Sequence, residues 1–120
     1  NSLNFESQSA YNLTVTVTDD GSPSLNNSAL ITINVQNINE TPTVNAATFN
    51  VPEHSPNGTV VGSVTANDPD SGTTLSYAIT GGNTSNVFAI DNTGQITVAD
   101  DIEYNTQSAY NLEVTVTDNG

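Results

Sequence analysis

Hydrophobic and polar residues alternate along three long runs. Tyr11, Leu13, Val15 and Val17 are separated by polar residues, mostly threonine. Ala29, Ile31, Ile33 and Val35 repeat the pattern, as do Tyr110, Leu112, Val114 and Val116. A period of two gives each segment one buried and one wet face, the mark of a strand at the surface of a sheet. Shorter runs predict further strands over residues 48–51, 59–66, 75–79, 87–90 and 95–98. Clusters of Gly, Asn, Asp, Ser and Pro separate them at 20–27, 56–58, 67–73, 81–85 and 91–94, where tight turns need those residues. No window keeps helical spacing for three turns. About seven short strands per hundred residues predict an all-β, Greek-key sandwich of the immunoglobulin-like kind.

The pattern is also repeated at long range. QSAYNLTVTVTDDG at residues 8–21 and QSAYNLEVTVTDNG at 107–120 agree at 12 of 14 positions, with an offset of 99. Leu3 and Phe5 align with Ile102 and Tyr104 in the same frame. Self-similarity at a fixed period marks a tandem array. The expected organisation is the last strands of one repeat at 1–36, a linker at 37–42 (NINETP), and a following repeat at 43–120. The second repeat lacks the counterpart of residues 28–36, so the array is cut within a repeat at both ends.

Composition narrows the function. The chain has 120 residues with no Lys, Arg or Cys, and 13 acidic residues give it a formal charge of −13. Nothing here can neutralise phosphates, which excludes a nucleic-acid surface. An anionic membrane surface would repel it, and no stretch is apolar for long enough to insert into a bilayer. Disulfides and lysine crosslinks are excluded as staples. Such a charge with no internal cation repels itself on folding, which fits either a soluble acidic surface adapted to salty water or divalent cations that supply the missing positive charge.

The acids are not scattered. NDPDSG, residues 67–72, places Asp68 and Asp70 two apart on a glycine-containing turn. Calcium takes six to eight oxygens from carboxylates, amides, carbonyls and water, and such a pair can aim at one ion. By itself the motif also fits a plain polar turn. It is not an EF-hand loop, because no glutamate follows at the required spacing.

The ordered set of motifs resembles the cadherin repeat family, in its bacterial form. VPEHS (51–55) is similar to the family's Pro-Glu-Asn motif and NDPDSG to its Asp-x-Asp motif. LNFE (3–6) and IEYN (102–105) sit where the family has Leu-Asp-x-Glu. VTDDGSP (17–23) and VTDNG (116–120) match its lone Asp before Gly, and NINETP resembles its linker.

The resemblance implies calcium sites at the junctions between repeats. One junction would draw on Asn4 and Glu6, on Asn37, Asn39 and Glu40 of the linker, and on Asp68, Asp70 and Asp118. Glu53, Glu103 and Asn105 would serve the next junction and Asp19 the previous one. Eight of the 13 acids fall on these positions. Asn4, Asn37 and Asn105 stand where the family has acids, which implies fewer or weaker ions per junction. The implied role is a calcium-dependent structural or adhesive module, extracellular or on a cell surface, stiffening an array or filament. Its partners would be other copies of the repeat, in tandem or by strand addition.

The alternative function is calcium-dependent carbohydrate binding, with polysaccharide as partner. That role favours exposed aromatic platforms, yet the chain has no Trp. Only Phe5 and Tyr104 fall outside the alternating core positions and the predicted strands. An enzyme is not expected: His54 is the only histidine, beside Glu53, with no nucleophile or orienting group in the pattern. Five Asn-x-Ser/Thr triplets, at Asn12, Asn26, Asn39, Asn57 and Asn83, arise readily in a chain this rich in Asn, Ser and Thr. Finally, without its last strand, residues 43–120 should leave a sheet edge open beside residues 109–117.

Overall fold

The three long alternating runs become strands in the computed structural model, which describes residues 2–120. The chain divides into two compact units, Asn1–Asn39 and Glu40–Gly120. In the first, β1 (Ala10–Thr18) and β2 (Asn26–Asn34) pair as an antiparallel hairpin. Tyr11 lies opposite Ile33, Leu13 opposite Ile31 and Val15 opposite Ala29. This register collects the apolar side chains on one face. The other face is polar: the Thr16 and Ser28 hydroxyls meet at 2.9 Å, and Thr32 donates to the Asn12 side chain at 2.9 Å. No described residue of this unit is buried, and Leu13 and Ile33 stay 44% and 48% exposed.

The second unit contains β3 (Thr43–Val44), β4 (Val60–Ser63), β5 (Ala66–Asn67), β6 (Ser76–Gly81), β7 (Phe88–Ile90), β8 (Gln95–Val98) and β9 (Glu113–Thr117). β8 lies between β4 and β7, β6 pairs with β9, and β3 pairs with β5, all antiparallel. The core is Val87, Phe88, Ile96, Val98 and Ile102, with Ile79, Tyr110 and Leu112 packed against it. The Phe88 and Tyr110 rings meet edge to face, 5.1 Å between centroids. These contacts bring the β4–β8–β7 sheet against the β6–β9 pair. A 3-10 turn at Thr84–Asn86 is the only helical element among the described residues.

Several expected strands change shape. Residues 48–51 form no strand. Instead the Phe49 ring lies directly against Gly62, leaving no room there for a side chain. The expected strand over 59–66 is broken into β4 and β5 at residues 64–65, where Val64 donates to the Gly94 carbonyl and Thr65 accepts from Asn45. β9 begins at Glu113 rather than at residue 110, beside an irregularity in register between Ile79 and Gly81. Residues 35–42 carry no regular structure.

Candidate metal centre

The loop after β5 positions the two aspartates of NDPDSG. Asp68 turns back on its own loop, one carboxylate oxygen accepting the Asp70 amide at 2.8 Å. Gly72 adopts φ +78°, the left-handed region that glycine enters without strain, and lets the loop reverse toward β6. Asp70 is thereby held inward and is 7% exposed, the one buried charged residue described. Its Oδ2 accepts the backbone amide of Glu40 at 2.7 Å.

The remaining oxygens of the pair define the site. Asp68 Oδ2 and Asp70 Oδ1 are buried and have no hydrogen-bond partner. Buried polar atoms are almost always satisfied, and an ionised oxygen left alone is costly. A Glu40 carboxylate oxygen lies within 4.8 Å of one from Asp70. At that spacing two charges repel by about 3–4 kcal/mol at an intermediate dielectric. The chain has no Lys or Arg to answer them. Divalent cations would give these oxygens partners and cancel the repulsion between Glu40 and Asp70, so the chemistry of the donors fits calcium.

The rest of the end of β9 faces the same loop. Asn119 accepts the Thr74 amide at 3.0 Å, which ties the chain after β9 to the loop. Asp118, beside it, is half-buried and accepts the Gly120 amide at 2.9 Å. Within the second unit the structure therefore brings Glu40 to Asp70, on the same loop as Asp68, and ties Asn119, the neighbour of Asp118, to Thr74 just after that loop. In the first unit, Asn4 accepts the amides of Glu6 and Ser7 at 2.8 and 3.2 Å, shaping the turn that carries Glu6. Asp19 accepts the Gly21 and Leu25 amides. The Leu25 and Gly21 amides hold its carboxyl below the usual aspartate value. Asn37 and Asn39 are exposed on the irregular segment.

Glu53, Glu103 and Asn105 lie at the opposite end of the second unit, near the start of the 109–117 segment. Glu53 accepts the Tyr104 amide at 2.9 Å, and Thr106 donates to Glu103 at 3.2 Å. Asn105 sits on the same turn. One contact here is absent from the motif pattern: His54 Nδ1 lies 3.2 Å from Asp101, and Nε2 lies 3.7 Å from Glu53. The Asp101 hydrogen bond, aided by the nearby charges of Asp101, Glu53 and Glu103, raises the imidazole pKa above its ordinary value. The only hint in the sequence was an acidic pair, Asp100–Asp101, just before IEYN. Of the aromatics expected at the surface, Tyr104 is 64% exposed and Phe5 36%.

With this architecture in view, the comparisons with known proteins are direct. The Cadherin domain model matches residues 47–120, and the chain belongs to the cadherin family. It is 40% identical over 124 residues to Protocadherin Fat 4 of Mus musculus, covering 98% of this chain and 2% of that protein. It is 38% identical, at the same coverage of this chain and 4% of the relative, to the protocadherin-like wing polarity protein stan of Drosophila melanogaster. Among solved structures, protocadherin gamma C5 EC1–3 aligns with a TM-score of 0.83 at 29% identity, over 98% of this chain and 41% of that one. Mouse cadherin-23 EC22–24 aligns at 0.79 and 28% identity, over 100% of this chain and 40% of that one. The fold is thus the all-β cadherin fold. The chain spans only a few per cent of the length of these curated relatives. They are animal proteins, and the bacterial form suggested by the linker draws no support from them.

Proposed function

We propose that this chain is a calcium-dependent, non-enzymatic module of an extracellular cadherin array, serving a structural or adhesive role at a cell surface. The observation that carries this reading is the pair of orphaned, buried oxygens on Asp68 and Asp70, with the Glu40 carboxylate close to Asp70. In this reading Glu40, Asp68, Asp70 and Asp118 hold calcium from the second unit. The family pattern adds Asn4, Glu6, Asn37 and Asn39 from the repeat and linker before it. Glu53, Glu103 and Asn105 serve the junction that follows, and Asp19 the one before. Bound calcium supplies positive charge that the chain's own side chains lack. The residues contribute the rest: the Asp68 side chain holds the loop closed, and Asp70 anchors the Glu40 backbone.

Calorimetric titration of the metal-stripped chain tests this. Saturable calcium binding is expected, with a dissociation constant of roughly 10⁻⁴ to 10⁻³ M, the range typical of extracellular modules. Small-angle scattering should show a different maximum dimension in calcium and in chelator, while circular dichroism keeps its strand signature. Absence of saturable heat up to ten millimolar calcium, with identical scattering profiles, would overturn the reading.

A further inference from the structure

Five Asn-x-Ser/Thr triplets stand in the sequence, and the fold treats them differently. Such a triplet is the acceptor pattern for an N-linked glycan, a bulky group that a folded protein must carry at its surface. A usable acceptor therefore needs a side-chain amide free of structural duty, with open space around it.

Four of the five fall short. Asn83 is committed to the fold: its Nδ2 donates to the Phe88 carbonyl at 2.8 Å and its Oδ1 accepts the Phe88 amide at 3.1 Å. These two bonds close the turn into β7, beside the buried Val87 and Phe88. A sugar on that half-buried nitrogen would crowd the turn. Asn12 lies within β1, held against β2 by the Thr32 hydroxyl at 2.9 Å. Asn26 opens β2 opposite Thr18, and the Ser28 hydroxyl of its triplet is taken by Thr16 at 2.9 Å. Asn39 stands among the residues that the family pattern assigns to calcium, and Glu40, within its triplet, is fixed to Asp70 through its amide.

Asn57 meets the requirement. It is exposed at the corner of a turn in which the Thr59 amide and hydroxyl both donate to the Pro56 carbonyl, at 3.1 and 2.6 Å. The Gly58 amide donates to the Val98 carbonyl at 2.7 Å, so the turn is anchored on β8 without use of the Asn57 side chain. Gly58 has a φ of +89°, and a Cβ built on it would meet nothing within 4 Å. Among the described residues, no hydrogen bond engages the Asn57 side chain. A large group on its Nδ2 would project into water and displace no contact of the fold.

We infer that Asn57 is an N-glycan attachment site, with Thr59 supplying the hydroxyl of the acceptor triplet. In the transfer, Nδ2 bonds to the anomeric carbon of an oligosaccharide carried on a polyprenyl diphosphate. The sugar–phosphate bond breaks, its electron pair leaves with the diphosphate, and one Nδ2 proton passes to solvent. The inference rests on the extracellular placement proposed above and is independent of the calcium site.

Secretion of the full chain from animal cells, behind an export leader, tests it. Intact mass should show an oligosaccharide that peptide N-glycosidase removes, and peptides from an aspartate- or glutamate-directed protease should place it on Asn57. Asn57→Gln and Thr59→Ala should each lose it, whereas Thr59→Ser, which keeps the hydroxyl, should retain it. Asn57→Gln should keep the parent's circular dichroism, since its side chain bonds to nothing in the fold. Calcium titration of the deglycosylated chain reads the metal site separately, and its failure leaves the glycan assignment standing. Secreted, folded chain with Asn57 unmodified would overturn the inference. So would a glycan that persists in Asn57→Gln, or one that maps to Asn83 instead.

Discussion

The Glu40 amide donates to Asp70 Oδ2 at 2.7 Å, across 30 positions of sequence. This bond fixes the first residue of the second unit to its one buried acid, and leaves the other Asp70 oxygen without a partner. A carboxylate so placed destabilises the metal-free protein and stabilises the metal-bound one. The two effects are separable.

Replacing Asp70 with Asn should separate them. The amide oxygen still accepts from Glu40, while the buried charge and its repulsion with Glu40 are gone. In chelator, the variant should unfold at the same temperature as the parent or a few degrees higher. In calcium at 10 to 100 times the dissociation constant, the parent gains about 1.4 to 2.7 kcal/mol by mass action. For a domain of this size that corresponds to roughly 10 °C. Differential scanning calorimetry should show most of this gain lost in the variant. An equal calcium-induced shift in both proteins would contradict the role of Asp70.

Asp91 predicts a pH dependence that involves no metal. Its Oδ1 accepts the Thr93 hydroxyl at 2.6 Å and the amides of Thr93 and Gln95 at 2.8 and 3.0 Å, closing the turn from β7 to β8. The Thr93 hydroxyl, then the Gln95 and Thr93 amides, lower its pKa below 3.8. A carboxyl with a depressed folded-state pKa binds its proton more weakly folded than unfolded. Its contribution is therefore present above the unfolded value and lost as pH falls through the folded one. Urea midpoints of the parent and Asp91→Ala should differ at pH 6 and converge as the pH drops below 3.8. A gap that stays constant through the acid range would show that the ionised form has no special part.

The same turn depends on Gly94. Its φ of +84° is disfavoured for residues with a side chain, and an added Cβ would lie 2.7 Å from the Val64 carbonyl oxygen. Gly94→Ala should therefore cost at least about 1–2 kcal/mol from the backbone alone. Denaturant unfolding should show it. Gly58→Ala, with a φ of +89° but open space around it, should cost less.

Much of this architecture was legible in the sequence, because the signal was local. Residues 95–98 read as a strand from four alternating positions, and β8 has those bounds. Asp68 and Asp70, which alone fit a plain polar turn, stood out through their place in the ordered set of motifs. What escaped was long-range. The break between β4 and β5 is made by bonds to Gly94 and Asn45, which no local pattern carries. The strand expected at 48–51 does not form, and Phe49 lies against Gly62 instead, a contact that no local pattern carries. The pairing of His54 with Asp101 joins residues 47 apart. Nor could the repeat reveal burial, since Leu13 and Leu112 sit in nearly the same string of residues.

That pair supports the last prediction. Leu13 and Leu112 are equivalent across the 99-residue offset, with the same neighbours on both sides except for Thr14 against Glu113. Propensity and alternation are therefore shared, and only the surroundings and the pairing differ: Leu13 is in β1 opposite Ile31, while Leu112 lies just before β9. Leu13 is 44% exposed on a hairpin with no buried residue. Leu112 is half-buried and packs on the Val87, Phe88, Ile96, Val98 and Ile102 cluster. Truncating a buried leucine to alanine costs about 2–5 kcal/mol, through lost burial and the cavity left behind. Leu112→Ala should fall near the lower bound, at about 2 kcal/mol, because the site is only partly enclosed. Leu13→Ala should change the stability of the second unit by less than about 0.5 kcal/mol, as substitutions away from packed features do. Guanidinium unfolding followed by the near-ultraviolet signal of Tyr77 and Tyr110 reads both. Equal losses would mean that the hairpin face is covered in solution as closely as the β9 face.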